Sequence, residues 1–156
     1  MKGIGKLLSF AVKLRNAYWR LREPTIVGVR AIVVDNNRVM LVKHTYLKGW
    51  YLPGGKVDRG ETVYQAVARE VEEECALLVK RAKLVGIYSN VDQNRNDHIA
   101  LFLVDAFQPG KASRFRDLEI AEASFFDIEK LPSGTTPATL RRINEFKNFV
   151  FDGEYW

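Results

Sequence analysis

Apolar positions along this chain change period several times, and each change marks an element. Thr25 to Val34 is dense in valine and isoleucine and predicts a buried strand. Asp35-Asn36-Asn37 is a turn signal, and Val39 to His44 predicts the returning partner of a hairpin. Trp50 to Leu52 reads as a short strand leading into Pro53-Gly54-Gly55. Thr62 to Leu78 shifts to helical spacing. Leu84 to Ser89 and His98 to Phe107 predict strands, and Ala123 to Asp127 a shorter one. Thr136 has the character of an N-cap with Pro137 at the first helical position, opening a helix to about Phe149. Strands outnumber helices and mix hairpins with helical crossovers, so the expected class is α/β with a mixed sheet. There is no internal repeat and no low-complexity tract.

Before the first strand, residues 4–21 place Ile4, Leu7, Leu8, Ala11, Leu14, Tyr18 and Leu21 at helical spacing. The expected organisation is a basic amphipathic N-terminal helix over residues 1–23, followed by one globular domain over 24–156. Charge sharpens this division. Residues 1–22 carry Lys2, Lys6, Lys13, Arg15, Arg20 and Arg22 and no acid, so of 24 basic and 19 acidic residues the remainder keeps 18 and 19. The net charge of +5 thus belongs to the N-terminal segment. The rest lacks the basic surface that nucleic acid requires, and no nucleic-acid partner is expected. The apolar stripe of residues 1–22 can be covered by the domain, by a second copy in a homodimer, or by a membrane surface; a disordered leader is the remaining reading. Lys6 and Lys13 bracket too short an apolar run for a secretory signal, and no stretch approaches the roughly 20 apolar residues that span a bilayer.

A chain of 156 residues, 47% hydrophobic and 28% charged, suits one independently folding domain. The lone Cys75 excludes an intrachain disulfide and a cysteine-rich zinc site, and fits a cytoplasmic setting.

The segment from Gly55 to Leu77 carries the chemistry. On a helical wheel Val67, Val71, Cys75 and Leu78 form an apolar arc. Glu70 and Glu74 lie at its edge in line with Val63, Glu73 lies beside Ala66, and Glu72 points away. Glu70 and Glu74 repel as an i,i+4 like-charge pair, and partial burial adds a desolvation cost. A divalent cation such as magnesium removes both penalties. Alone, a run of glutamates usually means a solvated acidic face. Around it, Pro53-Gly54-Gly55 allows a tight turn and close backbone approach. Glu61 precedes the helix at its positive dipole end, and Arg69 can orient Glu73 four residues on.

These residues together resemble the signature of the Nudix hydrolase superfamily in its MutT-like form: Gly55, Glu61, Arg69, Glu70, Val71, Glu73, Glu74, Ala76 and Leu77. Ala76 replaces the usual glycine at the end of the helix, where alanine costs about 1 kcal/mol if the backbone stays left-handed, or the helix runs on. The flanking strands extend the resemblance over residues 25–147.

The resemblance implies a Nudix-type α/β/α sandwich with a mixed β-sheet. It implies metal ligation by Glu70, Glu73 and Glu74 with the Gly55 carbonyl, by magnesium or by manganese in its place. It implies attack of water on a diphosphate carried by a small nucleotide derivative, of the nucleoside triphosphate or nucleotide-sugar type. Metal would lower the pKa of its water and offset phosphoryl charge. Glu73 and Glu74, with Arg69, are the expected catalytic set, and Glu119 is a further candidate base or ligand. For substrate contacts, Arg30 in its apolar strand suits an anion, His44 suits phosphate, and Trp50 and Tyr88 can stack on a base. Each has a plain structural alternative: a surface acid, a salt bridge, a satisfied histidine, core packing. The proline that marks many ADP-ribose hydrolases, the tyrosine of diadenosine polyphosphate hydrolases and the coenzyme A signature are all absent. Two other functions compete. One is a Nudix-fold nucleotide-binding or regulatory module without turnover, which would erode the box or add a domain. The other is an isoprenoid diphosphate isomerase, which needs cysteine and histidine chemistry beyond Cys75.

Overall fold

The computed structural model describes residues 25–90, 97–111 and 119–156. The N-terminal amphipathic segment, with its covering partner, lies outside the described residues.

Five strands form one sheet in the order β3-β4-β1-β2-β5. They are β1 (Ile26–Asp35), β2 (Arg38–His44), β3 (Leu77–Asn90), β4 (Asp97–Pro109) and β5 (Ile120–Asp127). β1 and β4 run parallel, and the other neighbours run antiparallel. The sheet is therefore mixed. Helix α1 (Val63–Cys75) and helix α2 (Pro137–Asn148) complete the described elements.

Strand alternation distributes the core between the two faces of the sheet. Val29, Ala31 and Val33 of β1 pack with Val67, Val71 and Cys75 of α1. Ile32, between them in sequence, packs with Leu41, Leu101 and Ile143 of α2 on the other face. One helix on each side of a central sheet is the α/β/α sandwich.

Strand β3 begins at Leu77, seven residues before the predicted start, and pairs along β4 through three irregularities of register. Its burial is half-and-half rather than deep, so the apolar pattern that betrays a buried strand is diluted by Lys80, Arg81 and Lys83.

Helix α1 starts where expected. Thr62 is its N-cap, and Thr62 with Gln65 forms a reciprocal capping box. It stops three residues short of the predicted Leu78, because Ala76 turns left-handed at φ 56°, ψ 41°. Its amide donates to the Glu72 carbonyl, and its own carbonyl accepts from Gly110. The alternative of a longer helix is thus not taken, and Ala76 carries the steric cost of a Cβ there. Ala76→Gly is expected to stabilise the protein by about 1 kcal/mol or slightly less, since glycine also loosens the unfolded chain. Thermal unfolding should show a rise of roughly 2–4 °C; an unchanged or lower Tm would mean that neighbouring contacts already offset the strain.

What positions the site is a splay between β1 and β2. They pair only at Val34–Val39 and Asp35–Arg38, next to the turn. Beyond that they diverge, and residues 51–57 fill the gap. Val29 donates to the Gly55 carbonyl, Ala31 to Pro53 and Val57 to Val27, while Tyr51 exchanges both backbone hydrogen bonds with Val42. The predicted short strand at 50–52 is therefore one end of an inserted segment. That segment carries Gly54 and Gly55 into the middle of the sheet.

Candidate active site

Two glycines let the inserted segment lie flat. Gly54 has φ +139°, and a Cβ there would collide with the Val29 carbonyl and the Arg30 backbone. At Gly55 a Cβ would run into the Glu70 carboxylate. Bare backbone is required at both places, with β1 on one side and a glutamate on the other.

Helix α1 lays its carboxylates over this segment. Glu74 is 7% exposed, and its Oε2 accepts from the Gly54 amide at 2.7 Å. Burial pushes its carboxyl up to about 7, against the opposing pull of the Gly54 amide and the Arg30 charge. Glu70 is also pushed above the usual carboxylate range by burial, offset by Arg69. Glu73 is far more open, with a side chain 47% exposed.

Arg69 ties this group together. Its Nε and Nη2 donate to the two oxygens of Glu61 at 2.9 and 3.0 Å. Nη1 donates to Glu70 at 2.8 Å and Glu73 at 3.2 Å, and Nη2 also donates to the Lys56 carbonyl at 3.1 Å. Sequence spacing identified the pairing with Glu73. It missed that the two-pronged contact goes to Glu61, eight residues back. Glu61 therefore acts through Arg69 rather than through the helix dipole, and its carboxyl is held low by that guanidinium.

On the sheet side, Arg30 lies close enough to draw down Glu70, Glu74 and His44. Its Nη1 is buried and has no hydrogen-bond partner. His44 lies at a register shift in the β2–β5 pairing, where β5 carries one extra residue, Ala121. His44 is 8% exposed and its Nδ1 is likewise unpartnered. Burial first, then Arg30, holds the imidazole below its ordinary pKa, so it is neutral at physiological pH. Glu119 sits exposed immediately before β5, its backbone carbonyl accepting from the Thr45 amide. Its carboxylate is felt electrostatically by both Glu74 and His44. The structure thus brings Gly55, Glu70, Glu74, Arg30, His44 and Glu119 into one neighbourhood, with Glu73 and Arg69 at its rim.

Trp50 and Tyr88 do not join it, and their expected role in stacking on a base is corrected. Both belong to the α2-side core. Trp50 is 8% exposed and meets Phe126 edge-on. Tyr88 is fully buried, donates to Glu145 at 2.7 Å and lies under the Arg142 guanidinium at 3.9 Å. Both rings are packed inside that core. Tyr51 and Trp156 instead line a cavity of about 670 Å³ together with Arg30 and Arg141. Nothing in local spacing distinguishes them, because the cavity is closed by segments about a hundred residues apart.

The donor set fits a divalent cation in chemistry. Glu70 and Glu74 are desolvated carboxylates whose charge a cation would stabilise, and Gly55 presents bare backbone against Glu70. Among the described residues no three acidic, histidine or cysteine side chains already converge on one point, since Arg69 holds both Glu70 and Glu73. The Gly55 carbonyl accepts from Val29, which leaves it a second lone pair.

A family profile described as NUDIX domain matches residues 24–146. The chain is 37% identical over 119 residues to an ADP-ribose pyrophosphatase of Methanocaldococcus jannaschii, across 73% of this chain and 69% of that one. It is 28% identical over 121 residues to the 8-oxo-dGDP phosphatase NUDT18 of Homo sapiens, across 73% of this chain and 36% of that one. Among solved structures, a MutT NUDIX hydrolase from Burkholderia pseudomallei superposes with a TM-score of 0.68 at 30% identity, covering 78% of this chain and 98% of that one.

Proposed function

The chain belongs to the Nudix family of hydrolases, and from that premise we propose that it uses water to split a nucleoside diphosphate linked to a further group, with magnesium as its cation. It is a pyrophosphohydrolase, and Nudix enzymes generally use divalent cations. The observation that carries the finer reading is a meeting of opposites around residues 53–57. Glu70 and Glu74 are desolvated carboxylates within electrostatic reach of Arg30. Arg30 Nη1 and His44 Nδ1 are buried without partners. Carboxylates suit a cation, while an unpaired guanidinium N–H suits a phosphoryl oxygen.

In this reading Glu70, Glu73, Glu74 and the Gly55 carbonyl would hold magnesium, or manganese in its place. Bound there, it would neutralise phosphoryl charge and make its water more acidic. Arg30 donates to a phosphate oxygen, and His44, neutral, offers a further polar contact. Arg69 positions Glu70 and Glu73 rather than touching the reacting atoms. Glu119, adjacent to Glu74 and open to solvent, takes the proton from the attacking water. A cytoplasmic setting belongs to the same reading, supported by the single buried Cys75. So does a homodimer, supported by apolar side chains left at the surface, Ile87 and Phe149 among them. The N-terminal helix over residues 1–23, ahead of a catalytic domain over 24–156, completes the proposed organisation, with membrane contact through residues 1–22 as its less favoured variant.

The names of the two relatives concern ADP-ribose and 8-oxo-dGDP, which share a nucleoside diphosphate core. The missing proline argues against ADP-ribose, and the 37% identity argues for it. A phosphate-release assay with a coupled phosphatase, run on ADP-ribose, nucleoside triphosphates, 8-oxo-nucleotides and nucleotide-sugars, decides between them. Activity on at least one that disappears without divalent metal is the expected result. A folded, metal-loaded protein that turns over none of them, but binds nucleotide, would instead be a binding module. In the same assay Glu119→Gln is expected to lower turnover by roughly two to four orders of magnitude with the fold intact; near-normal turnover would place the base within the box.

A further inference from the structure

We propose that Trp156 is the wall on which the planar base of the substrate stacks, held ready by a strap made of the residues after α2. The inference rests on the nucleotide reading above and adds a specificity residue to it.

Two cavities meet at Arg30. The smaller, about 220 Å³, reaches Gly55 and Lys56 beside the carboxylates. The larger, about 670 Å³, opens toward Tyr51, Thr136, Arg141 and Trp156. A diphosphate bound at Arg30 therefore has the carboxylate side on one hand and a cavity of ligand size on the other. The larger cavity mixes apolar and aromatic lining with two arginines, which suits a flat, aromatic, partly polar group better than a wholly hydrophilic one.

Trp156 is fastened before any ligand arrives. The Ser89 amide donates to the Glu154 carbonyl at 2.7 Å, and the Trp156 amide donates to the Ser89 carbonyl at 3.0 Å. Arg142 Nη1 donates to the Tyr155 carbonyl at 3.0 Å, and Arg141 Nη2 to the Trp156 carbonyl at 2.6 Å. The indole itself meets Tyr88 edge-on with centroids 5.9 Å apart, and the Arg142 guanidinium lies 5.5 Å from its centre. The same residue, Trp156, lines the cavity. A ring already ordered on both backbone and side chain loses little entropy when a base stacks on it.

The test separates the base from the phosphates. AMP and ribose 5-phosphate differ only by the base, and their binding can be measured by calorimetry without metal or turnover. Wild type is expected to prefer AMP by tenfold or more, the magnitude of an aromatic–base stack. Trp156→Leu, which keeps apolar bulk but no π face, should erase most of that preference, while Trp156→Phe should retain most of it. AMP should also quench indole emission in wild type, and Trp156→Phe, which leaves Trp19 and Trp50, should lose that signal. With a hydrolysable nucleotide, Trp156→Leu should raise KM about tenfold and leave kcat nearly unchanged. No AMP preference in wild type, or a preference and quenching that survive both substitutions, would overturn the proposal. Should Trp156→Leu fail to fold, the fluorescence of Trp156→Phe still decides. Absence of turnover on every nucleotide would sink the functional reading instead, and the AMP comparison would judge Trp156 separately.

Discussion

Glu74→Gln is expected to lower turnover by two orders of magnitude or more while making the metal-free protein more stable. The two effects have one cause. Glu74 is 7% exposed, beside Glu70 and within reach of Glu119, and burial raises its carboxyl to about 7. Such a group binds its proton more tightly folded than unfolded, where the ordinary value is 4.5. Folding stability therefore falls as pH rises from about 4.5 to about 7, and the full penalty persists above that window. A glutamine has no charge to desolvate, and its amide oxygen can still accept from Gly54. The melting temperature of the variant without metal should match wild type near pH 4 and exceed it increasingly up to about pH 7. Glu73→Gln should cost turnover on a similar scale but leave stability nearly unchanged, because its side chain is 47% exposed. Glu72→Gln is the internal control and should change turnover little. Equal effects of all three would reduce the carboxylates to a solvated acidic face. A variant at Glu73 or Glu74 that unfolds while each folded molecule keeps its turnover would make that residue structural and move the active site elsewhere.

Arg69→Lys should be nearly as damaging, although the charge is kept. One guanidinium here holds Glu61 with two prongs, reaches Glu70 and Glu73 through a third nitrogen, and also meets the Lys56 carbonyl. An ammonium cannot satisfy carboxylates in three directions at once. Glu70 and Glu73 would then be free to swing apart, and turnover should fall by two orders of magnitude or more. The melting temperature without metal should drop by several degrees, because Glu61, Glu70 and Glu73 are left to repel one another beside buried surface. Divalent metal should recover much of that loss, since it screens the same carboxylates, and the metal concentration giving half-maximal activity should rise. Full activity at wild-type metal concentrations would show that the helix alone orients the glutamates and that Arg69 is dispensable.

The sequence by itself determined the parts of this protein that depend on near neighbours. The wheel that put Glu70 and Glu74 at the edge of an apolar arc needed only the period of a helix, and Val67, Val71 and Cys75 do face the core. Thr136 and Pro137 open α2 as expected, because capping is settled within four residues. The lone departure in the box is also local: Ala76 stands in the left-handed conformation that glycine would favour. Tertiary structure decided everything that joins distant segments. Arg30 and His44 keep unpartnered nitrogens in a neighbourhood built by the insertion of residues 51–57 between β1 and β2. That insertion leaves no mark on local periodicity. The aromatic assignments show the same boundary. Trp50, Tyr88 and Trp156 are alike as side chains, but α2 and the strap after it bury the first two and leave the third on a cavity wall. An aromatic ring's chemistry is intrinsic; whether a face of it meets a ligand depends on what the rest of the chain packs against it.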